Sequence, residues 1–412
     1  MSHKLKQEMT NDNQHIPSGY KSSPLGIIPK DWEVKRLGDF APLQRGFDLP
    51  TDKIIKGDFP VVYSNGILNY HHEYKAKGPG VVTGRSGTIG KVTFVESDYW
   101  PHNTSLWVTD FNGNNPKYVF YLYSYMDLSK FASGSGVPTL NRNDVHISKI
   151  AVPPIDEQIR IVKVLEFWDT AISKQSALIE KLTQRKRGLM QQLLTGKKRL
   201  KGFEGEWKEV RLGDCGNFLS NYILSREQLN EGGGFVQNIH YGDVLIKYTS
   251  ILDCDKNTLP FVNESAYKDS MTDFVKNGDI VISDTAEDET VGKACEVQNI
   301  GNKKILAGLH TMLFRPNEGL FSPFFLGYYI NSEVYHSKLI PLIQGIKVCS
   351  IGKQAIQNTS IVIPCIDEQN AIASVLVNAD KEIEIQKQNL AAMQEQKKGL
   401  MQVLLIGKRR MK

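Results

Sequence analysis

GLMQQLLTGKKR, residues 188–199, and GLMQVLLIGKRR, residues 399–410, are one phrase written twice, 211 positions apart. A match of this length does not arise by chance, so the distance over which it extends measures the duplicated unit. At the same shift PPIDEQIRIVKVLEFWDTAIS, from Pro153, aligns with PCIDEQNAIASVLVNADKEIE, from Pro364, without a gap and with roughly 20 identities through Arg199 and Arg410. A second echo, at a different shift, pairs DWEVKRLGDF (residues 31–40) with EWKEVRLGDC (residues 206–215). The chain is two copies of one unit, each opening on a Trp and an RLGD phrase and closing on a long charged segment.

That closing segment reads as a helix. Pro153 and Pro154 break whatever precedes them, and Asp156 and Glu157 place acids where exposed amides and the helix dipole favour them. From Ile161, alternate steps of four and three give Leu165, Trp168, Ile172, Gln175, Ile179, Leu182, Lys186, Leu189 and Leu193. The second copy gives Ile372, Leu376, Ala379, Ile383, Gln386, Leu390, Met393, Lys397, Leu400 and Leu404. Heptad spacing with Gln and Lys interruptions at matching places predicts two helices that pair with each other, since polar seam residues cost stability but fix register. The competing expectation is two unrelated amphipathic helices, each packed on its own domain. A helix of this length is a rod of nearly 60 Å and would act as a spacer.

The chain has 412 residues, 41% of them hydrophobic, which suggests two to four packed domains. No apolar run reaches membrane-spanning length, and the opening MSHKLKQEMTNDNQH has no signal-like apolar core, so a cytoplasmic protein is expected. Five cysteines without a CxxC argue against a disulfide framework or zinc site. A net charge of +5 is compatible with nucleic acid without requiring it.

Between the rods the two copies share an order of elements. In the first, strands over residues 81–83 and 91–95 flank the loop GRSGTIG, SLWV (residues 105–108) forms another strand, and NPKYVFYLYSYMDLSK forms a helix. In the second, GDIVIS, the loop DTAEDET, VGKACEV, HTMLFRP and the helix SPFFLGYYINSEVYHSKL follow in the same order. The scaffold repeats while the loops are rewritten, Gly84-Arg85-Ser86-Gly87 standing against Asp284-Thr285-Ala286-Glu287-Asp288. Two readers with different targets need this arrangement.

Catalytic motifs fail on inspection. GRSGTIGKV has one residue too many for a phosphate loop and Val92 in place of the magnesium-binding hydroxyl. Asn115-Pro116-Lys117-Tyr118 lacks the second proline of an adenine methyltransferase motif, and no Gly-rich cofactor turn precedes it. Asp58, Glu73 and Lys75 have the residue types of a metal-dependent nuclease, but loosely spaced and without a counterpart in the second copy. The histidines have no ligand spacing, and no metal site is expected.

YKSSPLGIIPKDWEVKRLGD (residues 20–39), IAVPPIDEQIRI (residues 150–161) and LMQQLLTGKKRLKGFEGEWKEVRLGD (residues 189–214) resemble the hallmark phrases of the specificity subunit of bacterial type I restriction-modification enzymes, over nearly the whole chain. The resemblance implies an α/β (mixed α+β) fold with an internal pseudo-twofold repeat, in which two similar target recognition domains are joined by two long antiparallel coiled-coil helices. The corresponding division is a polar tail over 1–15, recognition domains over 16–152 and 197–363, spacer helices over 153–196 and 364–407, and a basic tail over 408–412. It further implies a chain without catalysis of its own that binds an interrupted, asymmetric double-stranded DNA sequence and carries two methyltransferase subunits and restriction subunits. S-adenosylmethionine, ATP and Mg2+ would belong to those partners. Two other readings remain: a protein–protein adaptor, and a nuclease fused to a specificity chain through Asp58, Glu73 and Lys75.

Residue chemistry selects candidate DNA contacts independently. Arg85, Ser86, Asn103, Thr104, Ser105, Thr139, Asn141 and Arg142 are expected to face DNA in the first copy, Arg suiting guanine and Asn adenine, with Lys91 on a phosphate. In the second copy the candidates are Ser283, Asp284, Thr285, Lys293, His310, Thr311 and Lys347. A carboxylate there can accept from cytosine N4, or the acidic loop is simply solvated. Met190 and Leu194, with Met401 and Leu405, project beside the seam and are expected to bind one partner subunit at each end; the alternative is that they pack on the neighbouring recognition domain.

Overall fold

The computed structural model describes residues 16–134 and 138–411, so the tail expected over 1–15, the tip of the GSGVPTLNR loop and Lys412 lie outside the described residues. The chain divides into two compact units, one formed by Met1–Ser176 with Asn389–Lys412 and the other by Ala177–Gln388. Each long helix, Ile155–Leu193 and Ile366–Leu404, has 39 residues and begins in one unit and ends in the other.

In the first unit a four-stranded antiparallel sheet has the order 43–45, 105–108, 80–84, 92–95. The helix Pro116–Tyr125 packs against it, begun by Asn115, whose side chain accepts from the amides of Lys117 and Tyr118. The second unit repeats the order with 216–219, 311–316, 280–283 and 294–298, and adds 251–253 as a fifth, parallel strand. The expected order of strands is therefore present in both copies. The expected helix SPFFLGYYINSEVYHSKL is broken, however, into Phe325–Ile330 and Glu333–Leu339, because the Ser332 hydroxyl caps a new start by accepting from the Tyr335 amide. Likewise NPKYVFYLYSYMDLSK stays α-helical only to Tyr125, before a short 3-10 turn over Leu128–Phe131.

The RLGD phrases occupy equivalent places. Strand Glu33–Arg36 pairs antiparallel with Lys149–Val152, and Lys208–Arg211 with Ser360–Ile363, each partner being the strand that leads into a long helix. Leu37 and Leu212 are then buried in the cores. A Cβ on Gly38 would stand 2.9 Å from the His146 Cβ, and one on Gly213 2.9 Å from the Gln357 carbonyl oxygen, so both glycines are required by close approach.

Three more repeated residues close each unit. The buried Glu157 accepts from the Trp32 indole at 2.9 Å and from Arg410 Nε at 3.0 Å. In the second unit the buried Glu368 accepts from the Trp207 indole at 3.2 Å and from Arg199 Nε and Nη2, both at 2.6 Å. The Gln that follows each Glu binds the loop ahead of the neighbouring helix: Gln158 accepts from the Asn115 amide at 2.9 Å, and Gln369 from the Ser322 amide at 3.0 Å. The twelve-residue phrase is thus written twice because its final Arg completes a Trp–Glu–Arg closure in each unit. The first unit takes its Arg from position 410, within the basic segment that follows the second long helix, and the Met411 amide also donates to Glu157 at 3.0 Å.

Within each unit the halves of the two long helices run in opposite directions. In the first unit Asp169 meets Lys397 while Glu157 meets Arg410; in the second, Arg185 meets Glu382 and Lys186 meets Asp380 while Arg199 meets Glu368. Every residue of both predicted stripes is buried or half-buried, whereas Phe167, off the stripe, is 71% exposed. The lysine interruptions are explained by ion pairing. Lys186 Nζ lies 2.6 Å from Asp380 and 5.1 Å from the centre of the Tyr328 ring, and the Tyr328 hydroxyl donates to Asp380 at 2.6 Å. Lys397, Asp169 and Tyr121 form the same set in the first unit, Tyr121 donating to Asp169 at 2.6 Å.

Leu194 and Leu405 are each 1% exposed, buried in the core of the second and first unit respectively, with Met190 and Met401 packed against the same cores. The leucines expected to meet a partner subunit are thus covered by the chain's own cores, while the two methionines stay half-buried.

Candidate nucleic-acid interface

At one end of the first sheet the strand Gly80–Gly84 gives way to a loop whose backbone is fixed on both sides. The Arg85 amide donates to the Thr104 carbonyl at 2.9 Å, and the Arg85 carbonyl accepts from the Leu140 amide at 2.8 Å. Ser86 forms a β-bridge with Thr139. The same frame recurs in the second unit, where the Asp284 amide donates to the His310 carbonyl at 3.1 Å, the Asp284 carbonyl accepts from the Ile351 amide at 3.0 Å, and Thr285 pairs with Ser350. Arg85 and Asp284 therefore occupy equivalent positions, as do Ser86 and Thr285, and Thr104 and His310. Two homologous frames present side chains of opposite charge.

Around Arg85 the surface is polar and cationic. Arg85 Nη1 reaches the Asn103 carbonyl at 3.4 Å, and the Asn103 amide group donates to Asp48, which Arg45 also meets at 3.2 Å. Lys91 is exposed and donates to the Asn65 carbonyl at 2.5 Å. The Tyr63 and His102 rings lie 4.2 Å apart, centre to centre. Burial holds the His102 imidazole below its usual pKa, against a backbone bond at Leu49 and the charge of Asp48. Asp48, Arg45, Tyr63 and His102 were not legible as site residues, since they come from three separate stretches that only the sheet assembles.

Around Asp284 the set is smaller. Its Oδ1 accepts from the Thr285 hydroxyl at 2.7 Å and lies 3.4 Å from His310 Nδ1, with the Tyr241 ring 5.3 Å from that of His310. Lys347 is exposed at the tip of a turn closed by the pairing of Gln344 with Ser350, beside Ile346, which is 99% exposed.

Several expected contacts belong to the scaffold instead. Ser105, Ser283 and Thr311 are buried, their hydroxyls donating to the carbonyls of His102 (2.7 Å), Thr285 (2.8 Å) and Gly308 (2.7 Å). Lys293 donates to the Leu245 carbonyl at 2.6 Å, and its burial holds its ammonium below the usual lysine range. Thr104 accepts from the Ser64 amide at 3.3 Å, and Asn141 caps the helix Arg142–His146. Arg142 is exposed on that helix. Of the nuclease-type residues, Lys75 sits 4.9 Å over the Trp100 ring, and the metal-type cluster found among the described residues is His71, His72 and Glu73, without Asp58. No helix among the described residues is long and apolar enough to cross a membrane.

Comparison with known proteins agrees with the duplicated architecture. The sequence profile of the type I restriction modification DNA specificity domain matches residues 29–184 and 204–395. The chain is similar to the type I restriction enzyme MjaVIII specificity subunit of Methanocaldococcus jannaschii, 24% identical over 93% of this chain and 94% of the relative. It is 25% identical to the putative MjaX specificity subunit of the same organism, over 95% of this chain and 97% of the relative. Among solved structures, the S subunit of a type I restriction-modification system from M. genitalium shares the fold with a TM-score of 0.54 at 13% identity, over 96% of this chain and 98% of that one. A chain from a study of complex assembly and conformational transition of the type I R-M system aligns with a TM-score of 0.59 at 17% identity, over 93% and 99%. The chain belongs to the family of type I restriction-modification specificity subunits.

Proposed function

We propose that this chain is the non-catalytic, sequence-reading subunit of a type I restriction-modification enzyme. Each unit reads one half of an interrupted, asymmetric target in double-stranded DNA, and the paired helices act as a coiled-coil spacer that sets the gap. The observation that carries this reading is the duplicated backbone frame with rewritten side chains, Arg85, Ser86 and Thr104 against Asp284, Thr285 and His310. Base readout needs donors and acceptors held at fixed depth by a scaffold, and changing only the side chains on that scaffold changes the base that is read. Methyltransferase and restriction subunits would supply the chemistry, with S-adenosylmethionine, ATP and Mg2+ bound by them. Leu194 and Leu405 are taken up by the chain's own cores, so a partner surface at the helix ends would rest on the half-buried Met190 and Met401 and their exposed neighbours.

The test is binding of duplex DNA by the chain co-purified with its methyltransferase partner. Sequence-dependent binding that weakens with salt and persists when the central gap bases are randomised is expected. Equal affinity for all duplexes would reject the reading in favour of an adaptor.

A further inference from the structure

Asp284 is an anomaly for a DNA interface, because phosphates repel a carboxylate and Arg85 stands at the equivalent position of the first unit. Its side chain is 26% exposed and so is available at the surface, and the ring facing it is that of His310, itself 46% exposed. Thr285 donates to one of its oxygens at 2.7 Å, which orients the carboxylate and leaves acceptor capacity on it.

We infer that Asp284, oriented by Thr285 and His310, is the specificity-determining residue of the second half-site and selects a base that presents an exocyclic amino group in the major groove. This rests on the DNA-reading function proposed above. The chemistry follows from the code of the groove: guanine offers acceptors at N7 and O6, and thymine an acceptor at O4 beside its methyl group, while cytosine N4 and adenine N6 carry amino donors. A carboxylate only accepts, so guanine and thymine leave it desolvated opposite acceptors, whereas cytosine or adenine gives it a charge-assisted bond. By the same code Arg85 favours an acceptor-bearing guanine in the first half-site. Within one duplicated frame the two units thus read complementary chemistry. His310 supports this by holding a polar, rotationally limited group against the carboxylate, with its own ring braced by Tyr241.

The experiment compares the wild-type complex with Asp284→Ala and Asp284→Asn complexes on duplexes carrying each of the four bases, in turn, at every position of the second half-site. For the wild type we expect one position at which guanine and thymine are rejected; the preference between cytosine and adenine there identifies the amino donor. Asp284→Ala should lower that discrimination by about 5- to 150-fold at that position alone, leaving the first half-site unchanged. Asp284→Asn, nearly isosteric and able to donate as well as accept, should move the preference toward adenine. Unchanged discrimination in both variants, or a uniform loss over all sequences, would overturn the inference while the DNA-reading function stands. A wild-type complex indifferent to sequence in both half-sites would instead overturn that function.

Discussion

Arg410 Nε lies 3.0 Å from Oε1 of Glu157, a carboxylate 1% exposed and 253 positions earlier in the chain. A guanidinium fork on a buried carboxylate is geometrically specific, and removing one member leaves the other charge uncompensated. Arg410→Ala is therefore expected to destabilise the first unit by about 3–5 kcal/mol, and Arg199→Ala to destabilise the second by leaving Glu368 without its guanidinium. Hydrogen exchange resolved by segment checks this: protection should fall around Trp32 in the first variant and around Trp207 in the second. Equal loss in both units from either substitution would show that the closures are not independent.

The His146 ring gives the first unit a pH dependence. Its Nε2 accepts from the Leu43 amide at 2.8 Å and must be unprotonated to do so. Burial first, then the charge of Arg142, lowers its pKa from the ordinary 6.5, opposed by the charge of Asp39. Between the folded and unfolded values the unfolded chain binds more protons, so stability rises with pH there. The contribution is complete above about 6.5 and is lost as pH falls through the depressed folded value. Urea unfolding at pH 7.5 and 5.5 should show a smaller loss on acidification in His146→Gln than in the wild type; identical losses would remove His146 as a source.

What the sequence revealed followed the range of the interactions involved. The helix seams were legible because heptad periodicity is local, and Lys186 and Lys397 were visible as interruptions before Asp380 and Asp169 explained them. The rewritten loops were legible because the duplication supplied an internal comparison, and Arg85 and Asp284 do occupy equivalent frames. Partners across the chain were not legible: nothing near Arg410 in sequence points to Glu157. Ser105, Ser283 and Thr311 failed because a small hydroxyl at a strand end reads alike whether it faces solvent or bonds a backbone carbonyl. Leu194 and Leu405 failed because periodicity shows that a face is apolar without showing what covers it.

Deleting one heptad from each rod, residues 172–178 and 383–389, should shorten the unread gap in the DNA target and leave both half-sites intact. Seven residues remove about 10 Å of helix, roughly three base pairs of duplex rise. The motif methylated by the reassembled complex is the readout. Altered half-sites with the gap unchanged would reject the spacer role of the helices.

Arg85→Ala should relax one half-site by about 1–3 kcal/mol for a lost bidentate base contact, with the other half-site untouched. Competition binding against single-base variants of the target measures this. Affinity lost evenly over all sequences would reassign Arg85 to a phosphate.

The central claim, that each unit reads its own half of one interrupted target, is tested most directly by mapping every methylated adenine in a genome modified by this chain with its methyltransferase partner. The experiment is then repeated with residues 284–290 of the second unit replaced by those of a relative. The account predicts a bipartite asymmetric motif with a fixed gap in the first case, and in the second the same first half and gap joined to a new second half. A contiguous motif, or a replacement that changes both halves together, would contradict it.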